Sequence, residues 1–262
     1  MGRRNNGFDN ILKGFIMLSL ILIITPLTLL MVRGVFFINN CIVSKEVLFS
    51  IKLSLQTSIV STIICMIFSI PTAYGLSRIK FKGNKIVMLI LYLPMSLPHI
   101  ISGIALLLVC GDSLIGRFLQ NIGLDFVFTV KGIILAQVFV NLSFSIKILK
   151  TAIDKSSFKL EFVARTLGCS KVRTFQRVAL PLIRRDILTA AIMTFSRALG
   201  EFGAIMILVG TTRMKTEVMP TAVFLNVSTG DMDTAIGVAT ILIIISLISM
   251  AIFEFIENKK EY

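Results

Sequence analysis

Two oppositely charged residues, Arg197 and Glu201, lie in an otherwise apolar stretch of this 262-residue sequence, where an unpaired charge is costly. They are four residues apart, so on a helix they share one face and can form an ion pair. Two interpretations stay open: an internal bridge that lets the helix pack, or two side chains that line a path through the membrane. Within the second interpretation we favour a role in the pathway or gate over a high-affinity anion site, because a deep, tight site would hinder release of the anion. Gly200 and Gly203 beside the pair predict close helix contact.

The only histidine of the sequence, His99, follows Pro98 in the stretch LPMSLPHIISG. Pro94 and Pro98 stand four residues apart and predict a broken or kinked helix at membrane depth, facing protein or a watery cavity. His99 is expected to be either a proton relay or, as we favour, a polar residue satisfied at the outer part of the kink. Pro98 and His99 join Arg197 and Glu201 as candidate pathway or gate residues.

Several kinds of catalytic and metal site are excluded. The sequence contains no GxxxxGK[ST], HExxH or GxSxG motif, so ATP hydrolysis by this chain is not expected. With one histidine and no CxxC, we predict no metal site and interpret the four cysteines as small apolar residues. The chain is therefore predicted to be no enzyme and to carry no cofactor. The cysteines are Cys41, Cys65, Cys110 and Cys169.

The elements that must position these residues are membrane spans. The sequence is 55% hydrophobic, its mean hydropathy is +0.90, and 16% of its residues are charged, against about 25% in a soluble domain. A spanning helix needs about 20 mostly apolar residues. The fourth predicted span has a charge-free run of only 132–146, so it crosses only if Lys131 and Lys147 extend to the two interfaces. We predict an all-α membrane protein, a single integral domain over 1–262, with spans near 14–32, 53–77, 86–110, 130–150, 187–210 and 234–253.

The distribution of positive charge predicts the orientation of these spans. If the N-terminus is cytoplasmic, nineteen of the 27 Lys and Arg residues lie inside and seven outside, while Arg197 lies within a span. This split satisfies the positive-inside rule, and the reverse orientation would violate it. We therefore predict a multi-pass protein of the plasma membrane with both termini cytoplasmic. The net charge of +13 is thus orientation charge, and no nucleic-acid partner is predicted. The first span is interpreted as a retained helix and not a signal peptide.

The long segment 147–185 is predicted to be cytoplasmic and to fold as two short helices in an elbow. Apolar residues spaced for one helix face run from Phe158 to Leu167. Gly168 then offers a turn position, and Ser170 can cap a second helix that ends as Pro181 approaches. The basic surface suits a protein partner, and the small residues at the bend would let the backbone of that partner approach closely. It equally suits an amphipathic helix on anionic lipid.

The segment resembles the cytoplasmic loop of ABC importer permeases, whose signature runs Glu-Ala-Ala, three residues, Gly, nine residues, Ile, one residue, Leu-Pro. Here Gly168 is followed after nine residues by Val178, Ala179, Leu180 and Pro181, with valine in place of isoleucine. At the front Ala164 matches, while the acid, Glu161, stands one place early. Three further stretches are similar to the molybdate, tungstate and sulfate permeases: FSIPTAYGLSRIKFKG, SRALGEFGA and TGDMDTAIGVATILI.

The resemblance implies a permease subunit with a six-helix type I importer fold and a coupling segment at 155–182. Two copies would form the pathway, two separate ATPase subunits would bind ATP and Mg²⁺, and an external solute-binding protein would deliver molybdate or tungstate. The ATPase-coupling residues implied are Phe158, Glu161, Ala164, Arg165, Gly168, Cys169, Leu180 and Pro181. Sulfate or another small solute remains an alternative cargo. A stand-alone secondary carrier or channel remains an alternative of another class.

Overall fold

The computed structural model describes residues 6–258, and all regular structure within that range is helical. Arg3, Arg4, Lys259 and Lys260, which contributed to the orientation count, lie outside it. The helices are α1 (Asn6–Val35), α2 (Ile38–Val43), α3 (Lys45–Arg78), α4 (Asn84–Ser96), α5 (His99–Cys110), α6 (Leu114–Asn121), α7 (Val130–Lys155), α8 (Phe158–Thr166), α9 (Lys171–Thr174), α10 (Leu180–Leu182), α11 (Arg184–Leu199), α12 (Gly203–Leu208), α13 (Met219–Ser228) and α14 (Met232–Asn258), with a π-helical segment at Phe175–Ala179 between α9 and α10.

Four of the described helices, α1, α3, α7 and α14, are long and apolar enough to cross a membrane without interruption. They correspond to the first, second, fourth and sixth predicted spans. The fourth, predicted from a short apolar run, is a continuous helix of 26 residues. A short apolar run suffices here because α7 is largely shielded from lipid. More than half of its most apolar 18-residue stretch is buried inside the protein.

The third and fifth predicted spans are interrupted. Helices α4 and α5 form a pair that bends by 109° at Leu97–Pro98, as the two prolines predicted. The fifth span was predicted as one stretch over 187–210, and this is corrected by a break at 200–202 between α11 and α12. Helix α11 has 16 residues and is therefore only about 24 Å long.

The centre of the protein is the packing of α3 against α7 and α11. Helix α3 turns a face of small hydroxyl residues inward, which allows the backbones to approach closely. Their hydroxyls donate to carbonyls of the same helix, as Thr57 does to Leu53 (2.9 Å) and Ser61 to Ser58 (3.1 Å). The buried hydroxyl residues of this face are Ser50, Ser54, Thr57, Ser58, Ser61, Thr62 and Ser69.

Helix α1 lies at the periphery against α14 and exposes large apolar side chains along its length. Such a surface is expected where lipid replaces water around a helix. The ends of α3 and α7 meet α8 at one end of the protein, whereas α2, α6 and α13 lie in connections at the other end. Since α1 leads into α2, and α14 begins beside Cys41 of α2, both ends of the described chain lie at the end that carries α8.

Candidate translocation pathway and coupling elbow

The break in the fifth span places Glu201 between two helices. Helix α11 ends at Leu199, and Gly200 follows as its C-cap. The Oε1 atom of Glu201 accepts a hydrogen bond from the backbone N–H of Ala204 (3.0 Å), so the carboxylate caps the start of α12. The sequence signal for this break is the pair of glycines near the acid, Gly200 and Gly203. From the sequence alone, these glycines were interpreted only as a sign of close helix packing.

The two broken spans meet at their breaks. His99, the first residue of α5, places its Nδ1 atom 2.8 Å from Oε2 of Glu201, whose side chain is 1% exposed. A Cβ atom added at Gly203 would lie 3.0 Å from the Cβ of His99, so the glycine permits this approach. The predicted contact role holds for Gly203. At Gly200 no atom lies nearer than 3.9 Å to such a Cβ, so that residue serves the helix end instead.

Of the two interpretations left open for Arg197 and Glu201, the internal ion pair does not form. Because α11 ends between them, the two side chains lose the register that a continuous helix would give. The Nε atom of Arg197 donates instead to Oδ1 of Asn141 (3.2 Å), and its guanidinium lies 4.6 Å from the ring centroid of Phe144. No carboxylate among the described residues is in ion-pair contact with Arg197. Its positive charge is thus oriented by neutral groups of α7 and stays available to an anion.

A buried glutamine fastens the helices next to the break. Gln137 of α7 is 1% exposed and donates from Nε2 to the carbonyl of Ala198 (3.0 Å). The same nitrogen lies 3.4 Å from the Thr57 hydroxyl and 3.3 Å from the Ser58 hydroxyl of α3. Gln137 therefore ties α3, α7 and the end of α11 together. Neither Gln137 nor Asn141 was identified from the sequence. The signal that could have identified them is an amide side chain within an otherwise apolar span.

The elbow forms at the positions that the sequence indicated. Helix α8 runs from Phe158 to Thr166, and Gly168 follows with φ of +90°, a conformation that only glycine adopts cheaply. Ser170 then caps α9 by accepting from the backbone N–H of Arg173 (3.3 Å). The predicted end of the second helix before Pro181 is wrong, because the chain continues through a π-helical segment and α10 to Leu182. The wider π turn ends at Ala179, two residues before the proline, which lacks the N–H that continuous α-helical hydrogen bonding needs.

Most of the predicted coupling residues lie on the outside of the elbow. Phe158, Arg165, Gly168 and Pro181 are exposed; Ala164, Cys169 and Leu180 are partly exposed. Apolar side chains extend this surface, with Phe162 60% and Leu167 80% exposed. Glu161 is the exception, because its side chain is 4% exposed and turns away from the surface, so it cannot belong to an exposed docking face.

Glu161 is held by residues of the second span. Oε1 accepts a hydrogen bond from Nε of Arg78 (2.9 Å) and lies 2.8 Å from its Nη2 as an ion pair, and Oε2 accepts from the hydroxyl of Tyr74 (2.8 Å). Charge-assisted hydrogen bonds of this kind are roughly twice as strong as neutral ones. The early acid of the signature is thus an anchor between α8 and α3.

Arg78 carries this anchor on to the fourth span. Its Nη2 atom also donates to the carbonyl of Ile153 (3.1 Å) and to the hydroxyl of Ser156 (2.9 Å), at the end of α7. Its guanidinium lies 5.4 Å from the ring centroid of Phe158. One arginine therefore joins the ends of α3 and α7 to the first helix of the elbow.

Comparison with known proteins identifies the family. Residues 66–262 match the family described as binding-protein-dependent transport system inner membrane component. The molybdenum transport system permease protein ModB of Mycobacterium tuberculosis is 32% identical over 198 residues, which is 75% of each chain. The molybdate/tungstate permease WtpB of Methanocaldococcus jannaschii is 35% identical over 170 residues, 64% of this chain and 67% of the relative. The probable sulfate permease cysT of Chlorokybus atmophyticus is 31% identical over 206 residues, 78% of this chain and 72% of the relative.

The fold is shared with a solved transporter. A chain in the crystal structure of a bacterial alginate ABC transporter, in complex with an alginate pentasaccharide-bound periplasmic protein, superposes with a TM-score of 0.75. The alignment covers 98% of this chain and 95% of that one at 20% sequence identity. The type I importer fold implied by the resemblance is thereby confirmed. This chain belongs to the family of inner-membrane components of binding-protein-dependent transport systems.

Proposed function

We propose that this chain is the membrane-spanning permease of an ABC importer for molybdate or tungstate. The observation that carries the proposal is its similarity to permeases named for these ions, at 32% and 35% identity over two thirds or more of their lengths. Molybdate and tungstate are tetrahedral dianions, so a cation such as Arg197, left without a carboxylate partner, suits their passage.

The assembly that we propose contains three kinds of subunit. Two copies of this chain enclose the pathway, and two ATPase subunits, which bind the ATP and Mg²⁺, dock on the exposed surface of the elbows. A solute-binding protein delivers the anion at the other end of the molecule. The placement of both described chain ends beside the elbow supports cytoplasmic termini, in agreement with the charge distribution.

The mechanism is alternating access driven by the ATPase. When ATP closes the ATPase pair, each elbow moves, and the Arg78–Glu161 anchor passes this motion to the ends of α3 and α7. These helices reach the gate through Gln137 and Asn141, which bind Ala198 and Arg197 of α11. The ligand and the nucleotide each shift the equilibrium by binding one state more tightly than the other.

At the gate, the contact between His99 and Glu201 joins the two interrupted spans. Breaks in spanning helices allow their halves to move as separate rods, and the contact fixes their relative position in this conformation. We therefore assign His99, Pro98 and Glu201 to the gate and Arg197 to the pathway beside it. A proton relay through His99 is not needed for this mechanism.

Sulfate is the second candidate cargo, since a sulfate permease is 31% identical over 206 residues. A stand-alone carrier is disfavoured, because the chain belongs to a family of binding-protein-dependent systems.

The test is uptake by proteoliposomes that contain this chain with its ATPase, supplied with the binding protein and loaded with ATP. We expect uptake of molybdate or tungstate that stops when ATP is omitted, with no uptake of sulfate. Uptake of sulfate alone would establish the second candidate. Uptake of any anion by the isolated chain without ATPase would establish a carrier and overturn the proposal.

A further inference from the structure

An open groove lies between α7 and α11 at the end of the molecule that carries the elbow. It has a volume of about 520 Å³, far more than the roughly 30 Å³ that one water molecule occupies in the liquid. Helix α7 lines it with Phe144, Lys147, Thr151 and Lys155; α11 contributes Asp186 and Thr189 among others, and one methionine comes from α4. Charged and hydroxyl side chains thus share the lining of the groove with apolar ones.

Two lysines of this groove have no partner within the described part of the chain. The ammonium groups of Lys147 and Lys155 make no hydrogen bond or ion pair with any other described residue, whereas that of Lys150 on the same helix binds Asp154 at 2.6 Å. The spacing of Lys147, Thr151 and Lys155 places them along one face of α7. Both lysines are exposed, so the groove presents to solvent two positive charges that no carboxylate among the described residues neutralises.

Two threonines, one on each wall, and a single aspartate complete the polar lining of the groove. Oγ1 of Thr189 is buried and has no hydrogen-bond partner among the described residues. Thr151 donates to the carbonyl of Lys147 (2.9 Å), which leaves its oxygen to accept or share a further contact. Asp186 supplies the one negative charge among the lining residues. The two lysines and the one aspartate together give the groove a net positive charge. The aspartate makes that charge smaller than the lysines alone would give.

The groove is continuous with the candidate pathway. Phe144 lines it, and the guanidinium of Arg197 lies over the ring of that phenylalanine. Along α11, Asp186, Thr189 and Arg197 recur at spacings that keep them on one side of the helix. An anion that leaves Arg197 towards the elbow therefore meets Lys147 next and Lys155 after it.

We propose that this groove is a low-affinity exit site for the tetrahedral oxyanion, held by Lys147 and Lys155 and by the hydroxyl of Thr189. The proposal rests on the proposed function and adds a site to it. Lysine suits such a site, because its ammonium is a strongly hydrated point charge that does not lock an anion in a bidentate grip. Efficient passage needs binding strong enough for entry and weak enough for release, and the single carboxylate of the groove supports release.

The first test compares the complex carrying K147Q and K155Q together with one carrying K150Q, whose lysine is already paired. We expect ATP-driven tungstate uptake by the double variant to fall about fivefold or more, because two Coulomb contacts with the anion are lost. ATP hydrolysis stimulated by the binding protein should continue in that variant, and K150Q should transport as the wild type does. Wild-type uptake by the double variant would overturn the exit site and leave the proposed function standing. Failure of the wild-type complex to take up tungstate or molybdate would count against the proposed function itself.

A second measurement detects occupancy without transport. Thr151→Cys places a thiol on the wall of the groove, and its modification by a negatively charged thiosulfonate is followed by peptide mass spectrometry. In the permease purified without its ATPase, which leaves Cys169 accessible, we expect millimolar tungstate to slow this reaction, against sodium chloride of equal ionic strength, while Cys169 on the elbow is modified at an unchanged rate. The protection should vanish when K147Q and K155Q are added. Equal rates at the introduced thiol with and without tungstate would overturn the proposal.

Discussion

The elbow anchor and the gate use the same chemistry with different partners. In each, a buried glutamate lies 2.8 Å from a nitrogen of another helix, and its side chain is 4% exposed at Glu161 and 1% at Glu201. At the anchor the partner is Arg78, itself 12% exposed, always charged, and joined by Tyr74. At the gate the partner is His99, whose side chain is 39% exposed and reaches Glu201 through its Nδ1 atom.

This difference matches the mechanics that we propose for the two regions. The anchor must transmit motion without slipping, so a multiply bonded and permanently charged pair suits it. The gate must open in every cycle, so a single ion-pair contact between side chains at the ends of two interrupted helices suits it. The comparison therefore predicts that substitutions at the anchor mainly lower the stability of the protein, whereas substitutions at the gate mainly impair transport.

The largest effect on transport is expected at Arg197. Replacing it by alanine removes the one cation at the gate that has no carboxylate partner among the described residues, together with its contacts to Asn141 and Phe144. We expect R197A to abolish tungstate uptake by proteoliposomes while the ATPase still copurifies with the variant. Near-normal uptake would remove Arg197 from the pathway.

The largest effect on stability is expected at the anchor. Glu161→Ala leaves the Arg78 guanidinium buried without its carboxylate, and breaking a buried pair on one side costs about 3–5 kcal/mol. We expect a lower melting temperature in detergent and loss of the ATPase on purification. The double variant R78Q/E161Q should melt higher than E161A, because no charge is left unpaired. As a control, D154N breaks the exposed Lys150–Asp154 pair and should cost about 1 kcal/mol or less.

An intermediate effect is expected at the gate. His99→Ala removes the side-chain contact to Glu201 but leaves the cap on α12, and a hydrogen bond to a charged group contributes about 1.5–3 kcal/mol. Since that contact holds the two breaks together, we expect higher ATP hydrolysis in the absence of the binding protein. Unchanged basal hydrolysis in H99A, measured beside the wild type, would show that the contact does not restrain the gate.

A smaller effect on stability is expected at the bend of the elbow. Gly168 has φ of +90° and no atom within 4 Å of an added Cβ, so alanine there costs backbone strain of about 1–2 kcal/mol and no clash. We expect G168A to hydrolyse more ATP per tungstate transported, because the bend shifts under the ATPase. The matched control is G123A, at φ of +77° and equally free of neighbours, but at the other end of the molecule. Normal coupling in G168A would remove the bend from the docking surface.

The elbow could be predicted nearly residue by residue because its signals are local. A glycine with positive φ, a serine cap and a proline act within a few positions, and they placed Gly168 and Ser170 correctly. The continuation through Pro181 was missed, since a π turn relieves the proline in a way that no simple pattern marks. The inward direction of Glu161 was also missed, because Tyr74 and Arg78 lie more than 80 positions away.

The spans were predictable from apolar run length, whereas the pairing at the gate was not. The spacing that allowed an ion pair between Arg197 and Glu201 brings the two side chains together only on a continuous helix, and Gly200 ends that helix. The true partners, His99 for Glu201 and Asn141 for Arg197, come from other spans. Such choices depend on which helices pack together, and one sequence contains no direct signal for that.

The most direct test of the account uses Cys169 at the bend of the elbow. It is partly exposed, whereas Cys41, Cys65 and Cys110 are buried, so alkylation by N-ethylmaleimide reports on this one position. The rate of alkylation is measured for the isolated chain and for its complex with the ATPase. If the elbow is the docking site, the ATPase protects Cys169, and removing the ATPase restores its reactivity. An equal rate in the isolated chain and in the complex would contradict the account.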